Sequence, residues 1–249
     1  MKKNGVVPNG FAKIEHIPRH VGIICDGNRR WARQNKLEAL MGHRSAMERV
    51  FEPLIDRAQH LGVEFLTFWV FSTENWKRAP NEVDGLLNLF REAFDTQVKK
   101  LMKKNVRIRV IGDLEDFSQD VRERIMKAVQ VTQANTGITV IFAMNYGGRD
   151  EMVRAVSRLL KSARASLTNG DELPNITSEY FSQFLDTAGM PDPELIIRTS
   201  GEQRLSGFLP WQSEYAEFAF PKFHFPDFTP ERFDEILEDF SSRGRRFGK

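Results

Sequence analysis

Thiols are almost absent from this chain: Cys25 is its one cysteine, which excludes a disulfide framework and fits a reducing compartment. Long apolar runs are missing as well. Nothing approaches the roughly 18 residues of a membrane span, and the start, Met1-Lys2-Lys3-Asn4-Gly5, lacks the apolar region of a signal peptide. The reading is a cytoplasmic protein. Charge of one sign is also scarce, because 36 basic residues against 34 acidic ones leave a net charge of +2. That excludes a polycationic surface for nucleic acid, so any anion site has to be local. No Gly/Ser/Pro-rich linker, repeat or low-complexity stretch divides the 249 residues, and the 41% hydrophobic content can fill one large core.

The run from His20 to Ala32, His-Val-Gly-Ile-Ile-Cys-Asp-Gly-Asn-Arg-Arg-Trp-Ala, carries the most information. Asp26 follows an apolar strand, Gly27 and Asn28 form a small flexible pair, and Arg29 and Arg30 open a helix. Gly27 lets the backbone approach an anion, the helix amides point at it, and guanidinium groups bind its oxygens in pairs. A carboxylate belongs in such a site when a divalent cation lies between it and the phosphates. The same residues also read as an Asp helix cap followed by a solvated basic turn.

Short apolar runs alternate with helical periodicity, the pattern of a mostly parallel sheet flanked by helices. Strands are expected near Val21–Cys25, Phe65–Phe71, Val106–Ile111, Thr139–Met144, Leu195–Ile197 and Glu217–Phe220. Helices are expected near Arg44–His60, Glu82–Lys103, Ser118–Asn135, Asp150–Ala165, Ser178–Leu185 and Pro230–Ser242. Ser166 to Pro174 reads as an exposed loop. The fold class is α/β, one domain built on a six-stranded sheet, with residues 1–19 as an N-terminal extension and 20–249 as the catalytic domain.

In an open parallel sheet, ligands collect outside the carboxyl ends of the strands. Polar clusters follow four of the predicted strands: Asp26 to Asn28, Ser72 to Arg78, Asn145 to Arg149 and Arg198 to Ser206. They are expected to converge on one rim, with Arg78, Arg198 and Arg204 facing few acids. That composition suits a multiply charged anion. Each loop taken singly also reads as ordinary turn chemistry.

Five ordered motifs carry a family resemblance from His20 to Phe247. They are the His20 run, Met41-Gly42-His43, Phe68 to Arg78 (FWVFSTENWKR), Asn145 to Arg149 (NYGGR) and Ile196 to Phe218 (IIRTSGEQRLSGFLPWQSEYAEF). The chain resembles the cis-prenyltransferases, the (Z)-polyprenyl diphosphate synthases whose bacterial type is undecaprenyl diphosphate synthase. The resemblance implies Mg2+-dependent head-to-tail condensation of isopentenyl diphosphate onto an allylic diphosphate, each step leaving a cis double bond.

It also implies roles for individual residues. Asp26 is the metal and allylic-diphosphate carboxylate, with Gly27, Asn28, Arg29, Arg30 and His43 cradling the primer's phosphates. Arg198, Arg204, Leu205 and Ser206 belong to the isopentenyl diphosphate site, and Glu217 is the second metal carboxylate. Ser72 and Asn75 stand where the family removes the C2 proton of isopentenyl diphosphate, with Thr73 and Glu74 beside them. Trp31, Trp76 and Arg78 line the space between the substrates, although both tryptophans also read as core packing and His43 as a helix cap.

Arg246-Phe247-Gly248 matches a C-terminal motif that reaches a neighbour's isopentenyl diphosphate, which implies a homodimer. A lipid product implies association with a membrane surface.

Three positions depart from the common pattern: Ala39 replaces an arginine, Gln203 replaces a histidine, and Val70 replaces an alanine near the tunnel entrance. Val70 keeps a short-chain product open as an alternative. Asn28 excludes the second aspartate of a haloacid-dehalogenase-type phosphatase. The absence of any Asp-Asp pair excludes the trans-type prenyl synthases. A non-catalytic partner subunit of the same fold is disfavoured by the retention of Asp26, Asn75, Arg198, Arg204 and Glu217.

Overall fold

The computed structural model describes residues 14–169 and 172–243. Six strands, β1 (His20–Ile24), β2 (Phe65–Ser72), β3 (Arg107–Ile111), β4 (Thr139–Tyr146), β5 (Leu195–Arg198) and β6 (Glu217–Ala219), form one sheet in the order β3-β4-β2-β1-β5-β6. Every pairing is parallel. The helices are α1 (Asn28–Gln34), α2 (Ala39–Arg49), α3 (Phe51–Leu61), α4 (Pro80–Thr96), α5 (Val98–Lys103), α6 (Gln119–Thr132), α7 (Gly148–Asn169), α8 (Ser178–Ser182) and α9 (Pro230–Ser242). A 3-10 turn at Thr73–Lys77 follows β2.

The expected fold class is therefore observed, and the pleat explains how the strands fill it. Val21 and Ile23 enter one apolar cluster while Ile24 enters another, and Leu195 and Ile197 likewise part company with Ile196. Successive residues of a strand face opposite sides, so a run apolar at every position is covered on both.

Some boundaries differ from the sequence reading. The helix expected over Arg44–His60 begins earlier, at Ala39, and is two helices meeting at Val50. Pro53 explains the break: it has no amide hydrogen for the Arg49 carbonyl four residues back, and its ring crowds that carbonyl. The helix expected over Glu82–Lys103 is divided at Gln97. Helix α7 runs on to Asn169, so the loop expected from Ser166 starts later. The extension 1–19 is not wholly separate either, because Ile14 and Ile17 pack against the main core.

Candidate active site

β1 lies between β2 and β5, and its carboxyl end opens into the crevice expected where successive connections leave in opposite directions. Asp26 stands just beyond that end. Its backbone carbonyl accepts from Thr199 Oγ1 (2.6 Å), Ser200 Oγ (3.1 Å) and Phe225 N (3.0 Å). Three donors on one oxygen fix the loop.

The Asp26 carboxylate accepts from Arg198 through Nη2 (2.9 Å) and Nε (3.2 Å), and it pairs with Arg30 at 3.1 Å. Arg198, only 6% exposed, also donates to Ser206 Oγ (2.8 Å) and to the Arg204 carbonyl. One guanidinium thus joins the β1 loop to the β5 loop. Gly27 makes the turn into α1 at φ +101°, and a Cβ there would come within 1.9 Å of Ser200 Oγ. Only glycine fits.

Two connected hollows share this centre. The polar one, about 400 Å³, is lined by Gly27, Arg29, Arg30, Arg33, Asp26, Asn28, His43 and Arg78. The second, about 480 Å³, begins at Asp26, Asn28, His43, Ser72, Glu74, Asn75, Arg78, Arg198 and Ser206 and continues between α2–α3 and α4–α5 over Met47, Phe51, Phe90, Phe94, Val98 and Leu101. A guanidinium-rich basin therefore opens onto a hydrocarbon-lined passage.

His43 sits inside α2, not at a helix cap. Burial, then Arg78 and Arg29, push its pKa down to about 3, so the ring is neutral at physiological pH. Its Nε2 is buried without a partner, as is Asn28 Oδ1. Such groups cost stability unless something polar meets them. Gly42 lets α2 approach α1, since a Cβ there would lie 2.0 Å from the Asn28 carbonyl.

The cations have more carboxylate partners than the sequence reading allowed. Arg78 donates to Glu82 (2.8 Å), which also lies 3.6 Å from Arg29, and Arg30 donates to Glu202 (2.9 Å). Other expected site residues stand apart from the two hollows. Trp31 donates to Asp227 (2.8 Å), and Trp76 donates to Asn145 (2.8 Å) while packing edge-on against Phe71. Thr73 bonds its neighbour Glu74 (3.2 Å), Leu205 packs into the core cluster around Ile24, and Arg204 is exposed beside Glu202.

Glu217 stands apart from Asp26 within the chain. It opens β6 level with Leu195, at the amino end of β5, and pairs with Arg243 at 3.1 Å. Asp26 lies at the carboxyl end of the same sheet, so one chain does not bring the two carboxylates to one metal. Arg246-Phe247-Gly248 lies outside the described residues.

The sequence reading placed Thr199 and Ser200 in the loop after β5 without a role and missed His224; these residues brace the Asp26 loop, and His224 Nδ1 lies 2.7 Å from Ser200 Oγ. Glu82 was read only as a helix residue. Only Glu82 carries a spacing signal, four residues after Arg78.

Comparison with known proteins decides the family. The family model described as "Putative undecaprenyl diphosphate synthase" (Prenyltransf) matches residues 24–248. The chain belongs to the cis-prenyltransferases. An isoprenyl transferase of Agrobacterium fabrum is 44% identical over 93% of this chain and 92% of its own length. The ditrans,polycis-undecaprenyl-diphosphate synthase ((2E,6E)-farnesyl-diphosphate specific) of Micrococcus luteus is 40% identical over 100% of this chain and 98% of its own.

Among solved cis-prenyltransferase folds, lavandulyl diphosphate synthase from Lavandula x intermedia, in complex with dimethylallyl diphosphate, superposes with a TM-score of 0.87 at 34% identity, covering 93% of this chain and 98% of that one. A probable undecaprenyl diphosphate synthase from Campylobacter jejuni gives 0.74 at 32% identity, over 94% and 100%. This cis-prenyltransferase is thus a prenyl-transferring enzyme with a single α/β domain. Among its described residues, no helix is long and apolar enough to cross a membrane.

Proposed function

We propose that this enzyme condenses isopentenyl diphosphate onto an allylic diphosphate, with a divalent cation, to make a (Z)-polyprenyl diphosphate of undecaprenyl type. The observation that carries the reading is the junction at Asp26, His43 and Arg78, where an arginine-lined basin meets an apolar passage of about 480 Å³. A diphosphate ester with a hydrocarbon tail has that division of character. The Micrococcus luteus relative is named as specific for farnesyl diphosphate, which makes it the first primer to try.

A magnesium ion fits the donors present. Mg2+ commonly takes one or two carboxylates and completes its shell with water and substrate phosphates. Asp26 supplies a carboxylate at the basin, and the unpartnered Asn28 Oδ1 is a second hard oxygen beside it. Bound there, the cation would stabilise negative charge on the departing diphosphate.

The chain's own groups do the rest. Arg29, Arg30 and Arg33 hold the allylic diphosphate, and neutral His43 can donate Nε2–H to it without adding charge. Arg198 and Ser206 hold the isopentenyl diphosphate beside it. As the allylic C–O bond breaks, C1 of the primer bonds to C4 of isopentenyl diphosphate, and the C2 proton passes to diphosphate oxygen beside Ser72 and Asn75. These residues orient the reactants and stabilise charge; neither Ser72 nor Asn75 is a strong base.

Val70 favours a second reading, since it lines the passage as a bulkier residue than alanine and would shorten the product. Purified enzyme, radiolabelled isopentenyl diphosphate and dimethylallyl, geranyl or farnesyl diphosphate separate the two. A ladder of polyprenyl diphosphates that disappears with EDTA and returns with Mg2+ supports the long-chain reading. A single small product supports the other, and no incorporation refutes both.

A further inference from the structure

The passage is lined by hydrocarbon along most of its length. Successive lining residues on α4 and α5 run from Leu86 to Leu101, about 22 Å of helix at about 1.5 Å per residue. Glu52 interrupts the apolar lining. It lines the passage together with Gln97, Val98 and Leu101, on the side where α3 faces Lys100 and Lys104.

Lys100 of α5 and Lys104, which caps that helix, hold its carboxylate, Lys104 Nζ at 2.6 Å and Lys100 Nζ at 3.3 Å, and Lys104 also donates to Asp56 at 2.7 Å. Glu52 and Asp56 are one turn apart on α3, as Lys100 and Lys104 are across the C-terminal end of α5. Two acids thus meet two lysines across the gap between the helices that wall the passage.

A hydrocarbon tail gains free energy while it leaves water for apolar wall. At Glu52 that gain reverses. To pass, the tail must cover an ion pair and strip its water, or part α3 from α5; desolvated ions regain that cost only with excellent geometry and full hydrogen bonding. We propose that the clasp of Glu52 with Lys100 and Lys104 sets the limit of tail extension and thereby the product length. The proposal rests on the reading of the passage as the prenyl-tail channel.

The test compares products of the full-length enzyme from farnesyl and isopentenyl diphosphates, resolved by reversed-phase chromatography after dephosphorylation. Glu52→Gln keeps the size and loses the charge; a Lys100→Met, Lys104→Met double variant opens the clasp from the other side. Arg44→Gln serves as the control, because Arg44 joins α2 to α4 through Glu92 at 3.0 Å and neither residue lines the passage.

Exposed ion pairs add little to stability, so all variants should fold, and Arg44→Gln should condense within about twofold of the wild-type initial rate. Glu52→Gln and the double lysine variant should shift the principal product upward by at least about one five-carbon unit, as the loss of wall charge predicts, while Arg44→Gln should not. Unchanged or shorter products from the first two would overturn the proposal. So would equal lengthening in Arg44→Gln, which would make helix tethering the cause. A wild-type enzyme that condenses nothing would instead refute the channel reading, and the clasp with it.

Discussion

Arg198 ties together two loops that are far apart in the sequence. Its fork touches Asp26 on one side and Ser206 and the Arg204 carbonyl on the other, so its shape sets the separation of the β1 and β5 loops, the two diphosphate sites of the proposed reaction. Lysine keeps the charge but cannot span both loops. Arg198→Lys is therefore expected to fold normally, to lower kcat/KM by about 100-fold, or about 3 kcal/mol, and to raise KM for isopentenyl diphosphate more than for the allylic primer. Steady-state kinetics with each substrate varied in turn checks this. An effect confined to the primer would mean that the two sites are exchanged. At this scale the motif residues Asp26, Gly27, Asn28, Arg30, His43 and Arg198 were legible, because each has a chemistry that its neighbours in sequence announce. Glu82, Ser200 and His224 were not. Ser200 and His224 work on the distant Asp26 loop, and Glu82 reaches Arg29 as well as its near neighbour Arg78, so only the fold brings these groups to the site.

Between residue and molecule, β1 depends on His20, whose ring joins strands and loop. Nδ1 lies 2.7 Å from the Pro191 carbonyl and Nε2 lies 2.8 Å from Thr67 Oγ1. A neutral ring satisfies both, donating from Nδ1 and accepting at Nε2; a protonated ring must lie uncompensated in the core. Burial pushes its pKa down from 6.5 to about 4. The folded state thus favours the neutral form, so the contribution is complete above pH 6.5 and is lost as the pH falls toward 4. About 2 kcal/mol should be gone by pH 5. His43 adds a loss of the same sign, so the comparison must isolate one ring: urea midpoints at pH 7.5 and pH 5 should differ less in His20→Gln than in the wild type. Equal differences would remove His20 from the account. Strand positions were readable from apolar runs such as Val21–Cys25 and Leu195–Ile197, which only a sheet covered on both faces can bury. Helix joints were less so. Pro53 did announce the break at Val50, but apolar periodicity continues through it, and at Gln97 the local sequence carries no Pro or Gly to mark the division. Part of the apolar face from Val83 to Leu101 lines the passage. Periodicity tells which side of a helix avoids water, not whether protein or a ligand covers it.

For the molecule as a whole, the least explained surface is on α7. Val153, Val156, Leu160 and Leu167 are 66%, 46%, 61% and 59% exposed. At about 100° per residue they fall within a stripe about 60° wide, so four apolar side chains share one line along a 22-residue helix. Scattered exposed hydrophobes are unremarkable, whereas a continuous stripe marks an association surface. A second copy of the chain is the occupant that the family resemblance implies, and a two-fold axis beside α7 would set the two stripes against each other. Leu160→Glu places a charge at the middle of that line without touching the core. The expected result is a wild-type dimer and a variant monomer by sedimentation velocity at the same concentration, with equal far-ultraviolet circular dichroism. If Arg246-Phe247-Gly248 completes the neighbour's isopentenyl diphosphate site, the monomer should also need more isopentenyl diphosphate for half-maximal rate, while its need for primer stays the same. A variant that remains dimeric would place the interface elsewhere. One that becomes monomeric with both KM values unchanged would leave the interface on α7 and remove the C-terminal arginine from the neighbouring site.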